Sequence, residues 1–450
     1  MIRSILVANR GEIAARVIRS ANRLGIKAVA LYSDADRNGC YMREAAETVS
    51  LGGKTPLESY LDAEKIIAAA LFKKCDAVHP GYGFLSENPA FAERCAQAGL
   101  IFIGPEAASI RLMGDKARAR QTAQKLGLPT VPGSGVVEGL EEAQAVCARL
   151  GYPVLLKASA GGGGIGMRKV EDPAGLAQAY SETADRAGAA FGDNRIFVEK
   201  YLNEPHHVEI QVLRDRHGGA ITFPERECSV QRRYQKVIEE SPSTCVSAAL
   251  RRALREAARR LAEGIGYVNA ATVEFVVDKE RRYYFLEANT RLQVEHPLTE
   301  ALTGLDLVEL QIRIADGEKL PLDEAELEVR GWALEARIYA EDPRRFYPSP
   351  GTITEYAEPS GEGVRVDSGY GPQGVVTPYY DPLVAKLITW GAGREEALHR
   401  MLAALDAYYI AGIRTNIPFL KEAFASPLFR DGGYDTHFVE KLRLLSPPSP

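Results

Sequence analysis

The sequence predicts a multidomain protein of mixed α/β and α+β class. Three observations carry that expectation. The first hundred residues alternate short apolar runs with helical patterns, a breaker cluster then marks a boundary, and strand and helix signals return beyond it without an internal repeat. At 450 residues, with 46% apolar and 26% charged side chains, the chain has an ordinary globular balance. Its length allows two to four domains at ~150 residues each. Disorder as the main state is excluded. So is an integral membrane protein, because no apolar run approaches the ~18 residues a span needs and mean hydropathy is −0.18. A net charge of −5 argues against a protein built around nucleic acid.

Ser4–Ala8, Ala28–Leu31 and Ala77–His79 read as strands, and Ile13–Leu24 and Ala63–Leu71 as helices. This alternation with tight glycine turns predicts a parallel, Rossmann-like sheet, although the first turn, Asn9-Arg10-Gly11-Glu12, lacks a dinucleotide-binding glycine fingerprint. Lys116–Leu126 reads as a helix, and Gly127-Leu128-Pro129 with Pro132-Gly133 forms the boundary. Val208–Leu213 and Thr272–Val277 follow as strands and Leu250–Ile265 as a helix. Strand-like alternation from Trp332 leads into helices near 394–407 and 416–425, and the Pro-rich tail Ser446–Pro450 is expected to fray. The start carries no secretory pattern. Cys40, Cys75, Cys95, Cys147, Cys228 and Cys245 form no C-x-x-C pair, so a reducing, cytoplasmic setting and small buried thiols are expected. His206, His207, His217, His296, His399 and His437 show no metal-ligand spacing.

Chemistry concentrates in four stretches. Strand-like Pro153–Lys157 runs into Gly161, Gly162, Gly163 and Gly164, with a second strand-like stretch after Gly166. No Gly-Lys-Ser/Thr follows, so this is not a Walker A loop. It reads as a hairpin whose glycine tip folds over phosphates as a mobile lid. Glu287, Asn289, Arg291, Gln293 and Glu295 alternate at strict period two, which on an extended chain would put all five on one face about 6.6 Å apart. If Lys279–Arg282 is a four-residue loop, Glu274 falls opposite Glu287. Like charges so placed need a cation between them, and oxygen ligands favour Mg²⁺ or Mn²⁺. Glu225–Glu240 is crowded with both charge signs, and within it Lys236 is the candidate anion ligand. His79–Glu87, with Tyr82, forms a loop after a strand, at the sheet edge where open α/β folds bind ligands.

Together these stretches resemble biotin carboxylase, a member of the ATP-grasp superfamily. The resemblance covers nearly the whole chain through His79–Glu87, Lys157–Met167, Gln231–Glu240, Glu287–Pro297 and Glu335–Pro343. It implies an N-terminal domain over 1–112, an ATP-grasp domain over 113–330 with its lid at 131–204, and a mixed C-terminal domain over 331–445. It implies ATP held by Lys116, Lys157, Gly161–Gly164, Glu199, Lys200, Leu202, His207 and Gln231, and Mg²⁺ or Mn²⁺ on Glu274, Glu287 and Asn289. Bicarbonate would be gripped by Lys236, Arg291, Gln293 and the Val294 backbone, with Glu295 as the base. Arg337 would stabilise the biotin enolate, and Tyr82 would border the biotin site. Ile165 stands where relatives usually carry Lys or Arg, and Tyr234 where many carry His or Asn, which implies weaker ATP binding or altered lid closure. None of the five methionines belongs to a Met-Lys-Met biotin-attachment signature. A biotin carboxyl carrier protein and a carboxyltransferase are therefore expected as partners, in the setting of an acetyl-CoA, other acyl-CoA or pyruvate carboxylase. The family also implies a homodimer. The rival readings are another ATP-grasp ligase that forms an acyl phosphate, and an inactive nucleotide-binding subunit.

Overall fold

A computed structural model describes residues 1–159 and 166–445. The glycine tip Gly161–Gly164, Ile165 and the tail after 445 lie outside the described residues. The first hundred residues form a five-stranded sheet in the order Glu47–Ser50, Lys27–Tyr32, Ser4–Val7, Ala77–His79, Ile101–Phe102, and every pair in it is parallel. The two edge strands had not been expected. They are short, and Glu47–Ser50 is only half buried, so neither carries a long apolar run. The helix Gly11–Arg23 is buried along most of its length because it lies between this sheet and the rest of the protein. Its first turn starts at Gly11, whose φ is +63°.

A four-stranded antiparallel sheet follows, in the order Gly133–Val137, Ile196–Lys200, Val154–Ala158, Met167–Val170. The helices Leu140–Leu150 and Leu176–Phe191 pack beside one another against it, and helices and sheet share one apolar cluster around Val154, Leu156 and Val198. The expected hairpin is present, with Lys157 paired to Met167 at its loop end.

An eight-stranded antiparallel sheet is the centre of the molecule. It runs Tyr283–Asn289, Asn269–Val277, His206–Arg214, Ala220–Arg232, Gln235–Ser241, Trp332–Tyr339, Leu383–Gly391, Val364–Ser368. The strand Trp332–Tyr339 joins this sheet directly to Gln235–Ser241, so Arg337 shares a surface with residues a hundred positions earlier. Helix Ala248–Gly264 covers the strands at 206–214 and 220–232. The last helices close over an aromatic cluster in which Phe429 stacks on Tyr434 at 5.0 Å and meets Phe424 edge-on at 4.9 Å. Removing that ring leaves a void that its neighbours cannot fill. Phe429→Ala is expected to destabilise this region by about 3–5 kcal/mol. The measurement is the midpoint of thermal and denaturant unfolding, and an unshifted midpoint would contradict the packing described.

Candidate functional site

Four adjacent strands of the central sheet place a row of charges side by side. Glu287 lies opposite Glu274, Glu274 opposite Glu209, and Glu209 opposite Arg226. The first pairing arises differently from the loop count. The turn begins one residue earlier, at Asp278, and an extra residue at Leu286 bulges the partner strand. The two departures cancel, and Glu274 still faces Glu287.

The five alternating polar residues do not share one extended strand. The strand ends at Asn289. Thr290–Val294 is irregular, and Glu295 is the cap residue of the helix His296–Thr303, with Pro297 in its first turn. Proline is pre-organised for that position and lacks the N–H a strand would use, so the chain turns there. The turn nevertheless brings Gln293 and Glu295 back over the charge row. Arg291 is held beside them by Glu87, which accepts from its Nε at 2.8 Å and from the Thr290 N–H at 3.0 Å.

Lys236 is the hub. Its Nζ lies 2.6 Å from Glu209, 2.7 Å from Glu295, 3.0 Å from Glu274 and 3.1 Å from Gln293. An ammonium has three protons for these four acceptors, so one contact can be exchanged for a substrate oxygen without leaving Lys236 unpaired. Arg337 donates from Nε to Glu239 at 2.6 Å and from Nη2 to Glu295 at 2.9 Å. Burial alone would push Glu295 up, but Lys236, Arg337 and Arg226 outweigh it and hold that carboxyl well below the usual range. Burial likewise opposes charge on Glu274, yet Lys236 and His207 keep it low.

The other expected residues surround this hub. Lys116 reaches Glu287 at 3.4 Å, and Lys157 pairs with Glu199, whose second oxygen takes Arg120 at 2.6 Å. His207 bridges Gln231 and Glu274 at 2.7 Å each. Lys200 donates to the Gly151 and Tyr152 carbonyls, and Leu202 lies in the half-buried loop after its strand. Asn289 donates to Glu274 at 2.7 Å. Glu274, Glu287 and the Asn289 carbonyl form an all-oxygen donor set on one sheet edge, which suits a hard divalent cation such as Mg²⁺. The Val294 carbonyl accepts from Lys386 at 2.9 Å. Tyr82 lies in the turn after Ala77–His79, where Gly81 has φ +62° and a Cβ would meet Asn9 and Ile13 at 3.0 Å. Tyr234 is exposed at a two-residue hairpin tip, with Arg233 and Tyr234 both at positive φ.

Glu209, Arg226, Glu239 and Glu87 were not anticipated as site residues. Arg226 is fully buried and bonds Glu209 at 2.5 Å, together with Gln211, Thr299 and Thr272. The density of both charge signs over Glu225–Glu240 was the available signal for Arg226 and Glu239, Glu87 closes the His79–Glu87 stretch, and nothing local marked Glu209.

Comparison with known proteins fits this geometry. Residues 1–110 match the family described as "Biotin carboxylase, N-terminal domain", 115–323 "Carbamoyl-phosphate synthase L chain, ATP binding domain", and 335–441 "Biotin carboxylase C-terminal domain". The chain is 49% identical over 444 residues to "Biotin carboxylase 2" of Bacillus subtilis, covering 98% of this chain and 100% of that one. It is 48% identical to a pyruvate carboxylase subunit from Methanothermobacter thermautotrophicus, covering 98% and 90%. Among solved structures, a biotin carboxylase–nucleotide complex from Campylobacter jejuni superposes with a TM-score of 0.96 at 44% identity, covering 98% of this chain and 99% of that one. The biotin carboxylase domain dimer of the Hydrogenobacter thermophilus 2-oxoglutarate carboxylase, with MgADP, ADP and bicarbonate, gives 0.96 and 44% with full coverage of both chains.

Proposed function

Because the chain belongs to the biotin carboxylase family, and is an ATP-dependent ligase that carboxylates biotin with bicarbonate, we propose that Glu295 is the base that takes the bicarbonate proton. In the same reading Lys236, Arg291, Gln293 and the Val294 backbone hold the anion. The observation that carries this is the convergence of Lys236 and Arg337 on the two oxygens of Glu295. In the resting site those cations weaken Glu295 as a base. Bicarbonate entering between them would draw both toward its own charge and restore basicity to Glu295 where the proton has to move. The substrate thus activates its own base.

The nucleotide lies between the lid and the central sheet in this proposal, with Lys116, Lys157, Glu199, Lys200, Leu202, His207, Gln231 and the glycines Gly161–Gly164 around it. Glu274, Glu287 and Asn289 would hold Mg²⁺ or Mn²⁺, which neutralises charge on the transferring phosphoryl oxygens when bound. Lid closure would keep water from the carboxyphosphate intermediate. Arg337 would stabilise the enolate of biotin beside Tyr82.

The central sheet runs across residue 330, so the proposed units 1–112, 113–330 with the lid at 131–204, and 331–445 are divisions of sequence over one shared surface. Relatives of the chain are subunits of biotin-dependent carboxylases. A biotin carboxyl carrier protein and a carboxyltransferase are the proposed partners, with an acyl-CoA or a 2-oxo acid as final acceptor, and a homodimer is the proposed assembly. A cytoplasmic location belongs to the same proposal. No helix among the described residues is long and apolar enough to cross a membrane. The experiment is ADP formation from Mg-ATP and bicarbonate, with and without free biotin. Strong stimulation by biotin is expected, and turnover indifferent to biotin and to a biotinylated carrier would overturn the reading.

A further inference from the structure

Behind Arg337 the central sheet holds a second pair of carboxyl groups that the steps above do not use. Glu239 and Glu335 stand directly opposite one another on adjacent antiparallel strands, and both are fully buried. Directly opposed residues share a face with Cβ atoms about 5 Å apart, where two like charges repel. Glu239 gives one oxygen to Arg337 at 2.6 Å. Its other oxygen and both oxygens of Glu335 have no hydrogen-bond partner among the described residues. Buried carboxylate oxygens left this way are strongly destabilising if both groups stay ionised, as any unpaired buried charge is. One proton between them converts the repulsion into a short O–H···O⁻ bond and satisfies two of the three orphaned atoms.

The charged and titratable groups facing the pair are Lys236 on the Glu239 strand, Cys228 on the strand beside it, Arg337 and Tyr339 on the Glu335 strand, Lys386 on the next strand, and Glu295 at the start of its helix. Among these cations only Arg337 makes a hydrogen bond to either carboxyl. Lys386 is engaged instead with the Val294 carbonyl at 2.9 Å and Glu12 at 3.1 Å. Burial pushes Glu239 up to about 7 against the pull of Arg337, and pushes Glu335 well above the carboxylate range.

We propose that Glu239 and Glu335 share one proton behind Arg337, so that the pair presents a single negative charge which aims the guanidinium at Glu295. Glu239 is then a positioning residue acting through Arg337, and Glu335 is the group that keeps the extra proton. A second proton would release Arg337 at low pH. Loss of the shared proton at high pH would add a second negative charge and pull the guanidinium back from Glu295. This inference rests on the role given to Arg337 above.

The test reads the proton directly. Infrared spectra of the full-length protein, without substrates, are recorded across the neutral and alkaline range for the parent and for Glu335→Gln. Burial also pushes Glu12 and Glu341 up to about 7, so the readout is the parent-minus-Glu335→Gln difference spectrum, in which a protonated-carboxyl band at neutral pH is expected. Absence of that difference band overturns the proposal. Kinetics supply the second arm. Glu335→Gln, which copies a neutral acid, is expected to retain ~10-fold more turnover than Glu335→Ala, and to lose the alkaline limb of the parent's kcat profile. An alkaline limb that Glu335→Gln leaves in place overturns the link to Arg337. Because the spectra need neither biotin nor turnover, a wrong role for Arg337 would leave the band intact and show only in the kinetics.

Discussion

Glu295→Gln is expected to lower kcat for biotin-stimulated ADP formation by about 10²–10⁴-fold, the usual worth of a positioned general base. The KM for ATP is expected to stay within a few-fold, because Glu295 touches Lys236 and Arg337 and none of the residues placed around the nucleotide. Glutamine keeps the shape and one acceptor oxygen, so what it removes is the capacity to take a proton. The pH profile gives a sharper check. In the free enzyme Lys236, Arg337 and Arg226 together outweigh burial and hold Glu295 well below the ordinary carboxylate range. A group with a depressed value stays ionised to lower pH, so the acid limb of kcat/KM for bicarbonate should fall at low pH. In the complex the two nearest cations are shared with bicarbonate, Glu295 rises, and the acid limb of kcat should move to higher pH. Both limbs should vanish in Glu295→Gln. Equal limbs in the parent would contradict activation of the base by its substrate, and a kcat within ten-fold of the parent would remove Glu295 from the role. A melting measurement on the variant separates these effects from loss of fold, since Lys236 keeps Glu209 and Glu274 as partners at 2.6 and 3.0 Å.

What could be read from the residues alone depended on how local the signal was. The parallel sheet of the first hundred residues was marked by apolar strands and a helix in sequence, and only its short, weakly buried edges were missed. The opposition of Glu274 and Glu287 follows from one turn, a short-range inference, and it survived a longer turn because the bulge at Leu286 compensates. The period-two reading of Glu287–Glu295 grouped the right side chains by the wrong geometry. Alternation alone does not distinguish a strand from a strand that turns into a helix at a proline. Glu209 and Glu239 escaped for another reason. Their strands lie mid-sheet and are buried on both faces, so polar residues occur on each side and alternation carries no inside–outside information. Glu87 anchors Arg291 across two hundred residues of chain, a contact fixed by packing of the first sheet against the third and by nothing near either residue.

Replacement of Arg337 is expected to separate the two halves of the reaction. The guanidinium is nine-tenths buried and its fork is fixed by two carboxylates, Glu239 on Nε and Glu295 on Nη2. It also lies directly opposite Lys386 across the strand pair, so two positive charges face the same space. Such an arrangement is organised before substrate arrives and needs no reorientation as negative charge develops on the biotin ureido oxygen. Removing one donor of this kind costs roughly 10²–10³-fold in rate, about 3–4 kcal/mol. Arg337→Ala should therefore lose most biotin-stimulated turnover. Arg337→Lys should recover little of it, because an ammonium cannot keep Glu239 and Glu295 in the same fork while reaching a third oxygen. The slower ADP formation that bicarbonate supports without biotin is expected to fall much less. Lys236, Arg291, Gln293 and Glu295 all remain for that step, and Lys236 contacts both Gln293 and Glu295 without Arg337, so only the share of bicarbonate's charge that Arg337 takes is lost from it. The decisive quantity is the ratio of biotin-stimulated to biotin-free turnover. A ratio that collapses toward one places the guanidinium at the biotin step. Equal loss of both rates would instead confine Arg337 to the bicarbonate step it shares with Glu295, leaving the enolate to be stabilised by another donor.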